Sequence, residues 1–258
     1  THVCLMGAIH RDDRYRRATL VNLGLISFKV LTGAGALSSF SYSIFAKAYK
    51  DAPDDQKGLN PRQGTYITGL VSLVGAMCGI YSVKTFGRKT LLLGGHLTIA
   101  ILQLAIAYTT AVSATNSQIA LICTTIFVYY VTSVPIALAY ASETCCDTAL
   151  SLVFFTLYFW DILISYTMEK LIEEIPVATF LIYSGVTFVG VIFIYFFMGE
   201  TKGLSDKEKK EIFMPGAKWG RELNSGEQAP AELGNEHKSR RTLRSEMLSR
   251  RVTQDAND

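Results

Sequence analysis

The sequence predicts an all-α protein whose six long apolar helices cross a membrane, and three observations carry this prediction. Hydrophobic residues make up 49% of the chain and charged residues only 18%. The charges are segregated, because of 25 Lys and Arg residues only Lys29 lies deep inside an apolar run. Each apolar run reaches the ~20 residues that a helix needs to cross a hydrocarbon core of ~30 Å. The predicted spans are 18–46, 65–86, 90–112, 118–141, 148–171 and 176–198.

These runs are predicted to be helices because backbone N–H and C=O groups find no water in lipid and must be satisfied within the segment. A soluble helical bundle is the alternative interpretation. It would require amphipathic faces with regular charges, which the third, fourth and sixth runs lack. The pattern therefore favours the membrane.

Polar segments separate the spans in chain order. A basic N-terminal segment, 1–17, precedes the first span, and the bundle occupies 18–198. Residues 47–63 contain two prolines and mixed charges, which is typical of an exposed loop. Residues 87–89 form a very tight basic turn between the second and third spans.

The segment after the sixth span is polar. Residues 199–216 are predicted to hold a cytoplasmic motif and a short amphipathic helix, Asp206–Phe213, with Ser205 as its N-cap and Glu208 three residues on. Residues 217–258 cannot bury enough apolar area to order themselves and are predicted to be a disordered cytoplasmic tail.

The basic residues predict the orientation in the membrane. If the N-terminus is cytoplasmic, nineteen Lys and Arg lie on that side and five on the other. The positive-inside rule and the even number of spans therefore place both termini in the cytosol. We expect a multi-pass protein of the plasma membrane, and the start at Thr1 instead of methionine suggests a fragment of a longer chain.

Composition argues against other functional classes. The net charge of +3 is too mild for a nucleic-acid binder, and no basic-aromatic module is present. The odd number of cysteines without metal spacing suggests reduced thiols. No nucleophile–base, metal or phosphate motif is found, so we expect neither an enzyme nor a bound cofactor or metal.

Four motifs follow one another over residues 16–213. They are Arg16-Arg17-Ala-Thr-Leu leading to Ser43-Ile44-Phe45, Phe86-Gly87-Arg88-Lys89, Pro135-Ile-Ala-Leu-Ala-Tyr140-Ala-Ser142-Glu143, and Gly199-Glu200-Thr201-Lys202-Gly203. Their order and spacing resemble helices seven to twelve of the sugar-porter family of the major facilitator superfamily. The resemblance implies that the six spans form one half, the C-terminal half, of a major facilitator bundle.

The resemblance also implies a cytoplasmic gate. Gly87 allows the tight turn, and Arg88 and Lys89 lie at the inner surface, at the level expected for Glu143. An Arg88–Glu143 ion pair would latch the bundle. Glu200 and Lys202 are candidates for a second latch below the last helix. The alternative is that these charges only mark the water interface.

The family's sugar pocket is mostly absent. The adjacent Gln pair of the seventh helix falls on Lys29 and Val30, and a Pro and a Trp of the tenth helix fall on Ala137 and Leu138. Sugar hydroxyls both donate and accept hydrogen bonds, and each unsatisfied polar group costs ~1–3 kcal/mol. Tight hexose binding of the family type is therefore not expected.

Instead of the family's pocket residues, the chain has two charged residues within its predicted membrane spans. Lys29 and Asp161 lie ~16 and ~20 Å into their spans, at 1.5 Å per residue. Such a charge costs ~2.5–3.5 kcal/mol and faces a partner or a cavity. We predict a Lys29–Asp161 ion pair, either as structural glue or as part of a cation, proton or anionic-substrate site.

Other candidate solute-binding residues are polar or aromatic. Ser38, Ser39 and Tyr42 belong to one polar face of the first span, and Trp160 is adjacent to Asp161. The alternatives are serines bonded to their own helix and an aromatic ring used for packing.

The sequence thus predicts transport of a sugar or related small polar solute by alternating access, with a missing N-terminal half or partner chain. The alternative is a non-transporting sugar-porter-like receptor, scaffold or membrane-complex subunit.

Overall fold

The computed structural model describes residues 13–51, 60–112, 114–204 and 213. Within these residues the chain forms eight α-helices and no strand. They are α1 (Asp13–Leu31), α2 (Ala34–Ser39), α3 (Ser41–Asp51), α4 (Pro61–Thr85), α5 (Arg88–Ala111), α6 (Thr115–Thr144), α7 (Asp147–Glu174) and α8 (Pro176–Phe197).

Six segments of the described chain are long and apolar enough to cross a membrane. Five are the single helices α4 to α8, and the first is the segment Arg16–Ser39, which contains α1 and α2. The prediction of six membrane helices is confirmed. Most of the predicted short helix Asp206–Phe213 and all of the predicted tail 217–258 lie outside the described residues.

The prediction of one continuous first helix over 18–46 is wrong. The helix ends at Leu31, restarts at Ala34, and is interrupted again at Phe40. Gly33 sits at the first break with φ 68°, in the left-handed region that favours glycine. The single apolar run therefore contains three helical pieces.

A buried amide from another helix stabilises the first break. Gln103 of α5 donates from Nε2 to the Thr32 carbonyl at 2.6 Å, and the Thr187 hydroxyl donates to Gln103 Oε1 at 3.1 Å. The Thr32 hydroxyl donates in turn to the Lys29 carbonyl at 2.8 Å. Buried backbone groups that leave the helical ladder need such partners. The break is thus part of the packed structure.

Replacing Gly33 with alanine is expected to destabilise the protein by at least ~1–2 kcal/mol, the cost of left-handed backbone for a residue with a side chain. A Cβ at this position would also lie 2.9 Å from the Tyr183 ring. Gly185→Ala is the control, because a Cβ there meets nothing within 4 Å. Thermal unfolding in detergent compares the two variants. Equal melting temperatures would contradict the assigned backbone strain.

Close helix contacts involve glycines of α4. A Cβ at Gly75 would lie 3.2 Å from the Phe127 carbonyl oxygen, and one at Gly79 would lie 2.9 Å from that of Tyr130. The face of α4 with these glycines therefore packs on α6 within the same chain. Small residues permit this approach between membrane helices.

Candidate functional site

Lys29 lies in the last turn of α1, just before the first break. Its side chain is only 7% exposed, and its ammonium lies 5.5 Å from the centroid of the Tyr129 ring on α6. A cation at this distance from an aromatic face is attracted to it. Within the described part of the chain, no hydrogen-bond acceptor is found for this ammonium.

Asp161 lies on α7 and is exposed. It lines a cavity of about 480 Å³ together with Phe40, Tyr158, Ile162, Ser165, Tyr166 and Glu169. Asp161 interacts electrostatically with Lys29. The described residues contain no nitrogen–oxygen contact within 4.0 Å between the two. The predicted ion pair is therefore replaced by two separated charges, because Lys29 is buried whereas α7 presents Asp161 to the cavity.

Trp160 contacts α1 rather than the cavity. Its indole Nε1 donates to the Ser27 hydroxyl at 2.8 Å, and the Ser27 hydroxyl donates to the Leu23 carbonyl at 2.7 Å. A buried indole N–H normally finds such a partner. The described contacts of Trp160 link α7 to α1, beside the predicted solute site.

The predicted polar face of the first span is not continuous. Ser39 and Tyr42 are exposed and Ser38 is half-buried, whereas Ser41 is buried. One helix ends at Ser39 and the next begins at Ser41, so these residues are divided between two helical pieces. Ser39, with its hydroxyl 3.5 Å from the Gly35 carbonyl, is also partly bonded to its own helix.

The predicted contact between Arg88 and Glu143 is present. Arg88 Nη2 donates to Glu143 Oε1 at 3.0 Å, and the two side chains are 18% and 20% exposed. Partial burial strengthens a hydrogen-bonded ion pair relative to one in open water. The contact joins the start of α5 to the end of α6, and its role as a gate stays a prediction.

Glu200 caps the first turn of α5 from a distant part of the chain. Its carboxylate accepts the backbone N–H groups of Arg88 at 2.9 Å and Lys89 at 3.1 Å. It also accepts those of Thr201 at 3.0 Å and Lys202 at 3.1 Å. An anion is favourable at a helix N-terminus, where N–H groups lack partners. Glu200 therefore contacts the same helix start that carries Arg88.

The glycine at this turn permits the cap. A Cβ at Gly87 would lie 2.5 Å from Glu200 Oε2, closer than any stable contact. Lys202 completes the turn, because its ammonium donates to the Thr85 carbonyl at 2.7 Å, at the end of α4. The ammonium of Lys89 lies 5.6 Å from the Tyr195 ring centroid. Glu200 and Lys202 thus hold the two helix ends that meet at Gly87, and we call these contacts the inner cap.

Comparison with known proteins identifies the family to which the chain belongs. A family model described as "Sugar (and other) transporter" matches residues 4–213. The chain belongs to this sugar transporter family. Among relatives, it is 26% identical over 207 residues to "Sugar transporter ERD6-like 17" of Arabidopsis thaliana, covering 76% of this chain and 42% of that protein. It is 28% identical over 201 residues to "Hexose transporter 1" of Plasmodium vivax (strain Brazil I), covering 73% and 38%.

A solved structure of a major facilitator protein, the proton:xylose symporter XylE bound to 6-bromo-6-deoxy-D-glucose, has a similar fold. The TM-score is 0.66 at 19% identity, covering 76% of this chain and 42% of that one. The predicted resemblance and fold class are confirmed. This sugar transporter family chain spans less than half the length of the relatives it matches.

Several polar contacts in this member of the sugar transporter family were not predicted from the sequence. Lys47 donates to the carbonyls of Ile172 at 2.8 Å and Glu173 at 2.6 Å, which joins α3 to the end of α7. His96 is fully buried, with Nδ1 3.1 Å from the Leu92 carbonyl. In both cases the sequence shows a polar residue within or next to an apolar run, but it does not show which residue the side chain contacts.

Proposed function

We propose that the protein transports a sugar or a related small polar solute by alternating access, with this chain forming the C-terminal six-helix half. Membership in the sugar transporter family supports transport of a sugar-type solute. The observation that carries the site is the open surface pocket beside Asp161, with the mostly buried side chain of Lys29 in electrostatic range. Both charges lie in membrane-spanning segments.

Because a charge in lipid is energetically costly, Lys29 and Asp161 are expected to face a cavity instead of lipid. An isolated charge at the bilayer centre costs ~2.5–3.5 kcal/mol even on the lenient scale, and such residues usually face protein or water. Asp161 is exposed on the surface of the described bundle. A second six-helix half, from the same polypeptide or a partner chain, would cover this face and complete the site. Transporter sites lie at the interface of such repeats.

The broken first helix fits the same proposal. Discontinuous helices in transporters place helix ends at the substrate, near the middle of the membrane. Here α1 ends at Leu31, two residues after Lys29, and α2 begins at Ala34. We assign solute contact to Lys29 and Asp161, with Ser38, Ser39 and Tyr42 beside them and Trp160 positioning α7 against α1.

The inner turn would act as the cytoplasmic gate. The Arg88–Glu143 ion pair and the inner cap meet at the start of α5, and these side chains reach the surface far enough to exchange their partners for water. The excess of basic residues on the side of both termini supports a cytoplasmic location for this face. The plasma membrane is the proposed location.

Uptake by the complete polypeptide encoded by the gene tests this function. Cells that lack their own monosaccharide carriers should take up labelled D-xylose or D-glucose in a saturable manner, and excess unlabelled solute should compete. Surface labelling verifies that the protein is in the membrane. Lys84→Met is the matched control for substitutions of Lys29 in this assay, because Lys84 is exposed at the end of α4.

A non-transporting receptor or scaffold is the second candidate. Lys29 and Val30 stand where the family resemblance places a Gln pair, which removes side-chain amides suited to sugar hydroxyls. This candidate predicts correct membrane insertion without uptake or exchange of any monosaccharide or polyol. That outcome would overturn the transport proposal.

A further inference from the structure

Two cysteines that are adjacent in the sequence form the whole connection between α6 and α7. Cys145 is the C-cap of α6, and Cys146 is the N-cap of α7. Of the five cysteines of the chain, only these two are neighbours in the sequence. Both are free thiols in the structure. We call them the thiol pair.

The two thiols differ in their access to water. The Cys145 side chain is 8% exposed and belongs to the same buried core cluster as Ala141 and Ala149. Cys146 is half-buried against this cluster and is followed by the exposed Asp147. A water-soluble reagent therefore reaches Cys146 first, and it reaches Cys145 only when the connection opens.

The ionisation of Cys145 agrees with this order. Burial raises the pKa of the Cys145 thiol to about 12, and the neighbouring Cys146 adds to the rise, whereas hydrogen bonds to Thr144 and Asn22 act in the opposite direction. Asn22 of α1 also donates to the Thr144 hydroxyl at 2.8 Å. The thiolate is the form that attacks a disulfide. Cys145 is therefore the second thiol to react.

The backbone of the connection keeps the two sulfurs apart. Cys145 has φ −91° and ψ 157°, and Cys146 has φ −82° and ψ 162°, so both residues are extended. Successive side chains of an extended chain point in different directions. Adjacent Cα atoms lie about 3.8 Å apart, whereas ordinary disulfides join Cα atoms ~4.4–6.8 Å apart. A bond between these sulfurs requires the connection to rotate and is strained, which makes it easy to reduce.

Rotation of this connection would affect both helix ends. The Cys145 N–H makes the last backbone hydrogen bond of α6, and the Cys146 carbonyl accepts the first one of α7, both at 2.9 Å. Glu143, two residues before the pair, accepts from Arg88 at 3.0 Å. The thiol pair thus lies between two helix ends and next to an ion pair that joins α6 to α5.

We propose that Cys145 and Cys146 are a redox modification site, which disulfides of the glutathione type oxidise reversibly to a disulfide that reorganises the connection between α6 and α7. The basic residues predict that this face is cytoplasmic. Glutathione keeps most thiols reduced there, and the disulfides that do form are usually transient and redox-sensing. The inference is independent of the proposed transport function.

The oxidation consists of two exchange steps. The Cys146 thiolate attacks one sulfur of oxidised glutathione, a mixed disulfide forms, and one glutathione thiolate leaves and takes up a proton. The Cys145 thiolate then attacks the Cys146 sulfur, which forms the bond within the pair and releases the second glutathione. The pair loses two electrons and two protons, and one molecule of oxidised glutathione becomes two of the reduced form. A reduced dithiol reverses both steps.

A count of free thiols in the complete polypeptide, purified in detergent, tests the inference. The protein is incubated with oxidised glutathione, denatured, labelled with N-ethylmaleimide and weighed intact by mass spectrometry. We expect loss of two labels without a glutathione adduct on the pair, and recovery with dithiothreitol. Phenylarsine oxide, which binds two neighbouring thiols with release of water, should block the same two labels. The oxidised protein should melt at a lower temperature than the reduced one.

Four variants assign the lost labels. Cys146→Ser should abolish the loss of both, and Cys145→Ser should stop at one glutathione adduct on Cys146. Cys78→Ser is the matched control, because Cys78 is exposed on α4 and has no neighbouring cysteine, and this variant should still lose two labels. Cys4→Ser, at a position outside the described residues, should also behave like wild type.

Each contrary result overturns a defined part of the inference. A stable glutathione adduct on wild-type Cys146 would exclude the bond within the pair, and no lost label would exclude the site. An unchanged melting temperature on oxidation would exclude the reorganisation. If the serine variants do not fold, peptide mass spectrometry of oxidised wild type decides, because absence of a Cys145–Cys146 link contradicts the proposal. Failure of the protein to move any solute would overturn the proposed function and leave these results unaffected.

Discussion

Replacing Lys29 with methionine is expected to lower solute uptake by about 10- to 100-fold, the equivalent of one hydrogen bond to a charged group at ~1.5–3 kcal/mol. The reason is that the Lys29 ammonium, which lies 5.5 Å from the centroid of the Tyr129 ring, has no hydrogen-bond acceptor among the described residues and is therefore available to the solute. Uptake of labelled D-xylose or D-glucose by membrane-inserted protein measures the effect. Lys29→Arg, which keeps the charge, should retain part of the activity.

The same substitution also decides between structural glue and a solute site. Breaking a buried ion pair on one side costs ~3–5 kcal/mol, since an unpaired charge stays buried. Here Asp161 is exposed to a cavity and forms no direct bond with Lys29, so methionine at position 29 removes a desolvated charge without stranding its partner. We expect a melting temperature in detergent equal to or above that of wild type. A strong loss of stability would favour the structural role, and unchanged uptake would exclude Lys29 from the site.

Replacing Glu200 with alanine is expected to destabilise the protein by about 2 kcal/mol, the upper range for loss of a helix N-cap. The substitution leaves four backbone N–H groups without their carboxylate, two of them at the start of α5. Water replaces part of the loss because Glu200 is exposed. For a chain of this size, 2 kcal/mol lowers the melting temperature by roughly 4–8 °C. Thermal unfolding in detergent measures the shift.

Asp147→Asn provides the matched control for the inner cap. Asp147 is also an exposed acid in the first turn of a helix, α7, where the helix dipole contributes only ~0.3–1 kcal/mol. Glu200→Gln should fall between the two, because its amide keeps one acceptor oxygen. Equal melting temperatures for Glu200→Ala and Asp147→Asn would show that the four contacts contribute nothing beyond the dipole.

The inner face was largely predictable from local sequence. Gly87 marks the tight turn, and the charges beside it were assigned to one surface because charges leave the hydrocarbon core. The Arg88–Glu143 contact was expected on that basis and is found at 3.0 Å. The role of Glu200 was only half predicted, since a latch was expected and the structure has a helix cap. Backbone N–H groups are the partners, and sequence does not reveal which of them are close.

The solute site was less predictable. The charges Lys29 and Asp161 stand out in apolar runs, but their separation depends on how α1 and α7 are rotated against each other. Trp160 was expected as a pocket residue, whereas it donates to Ser27.

The sequence by itself determined that the chain crosses a membrane in six segments, since runs of more than 20 apolar residues satisfy their backbone in lipid only as helices. Tertiary structure decided where the first of these helices breaks. A glycine within an apolar run is compatible with a continuous helix. At the break before Gly33 the Thr32 carbonyl accepts from Gln103, whose side-chain oxygen accepts in turn from Thr187 of a third helix. Local composition sets which segments enter the membrane, whereas contacts between distant segments decide which backbone groups can leave the helix and where the charges meet.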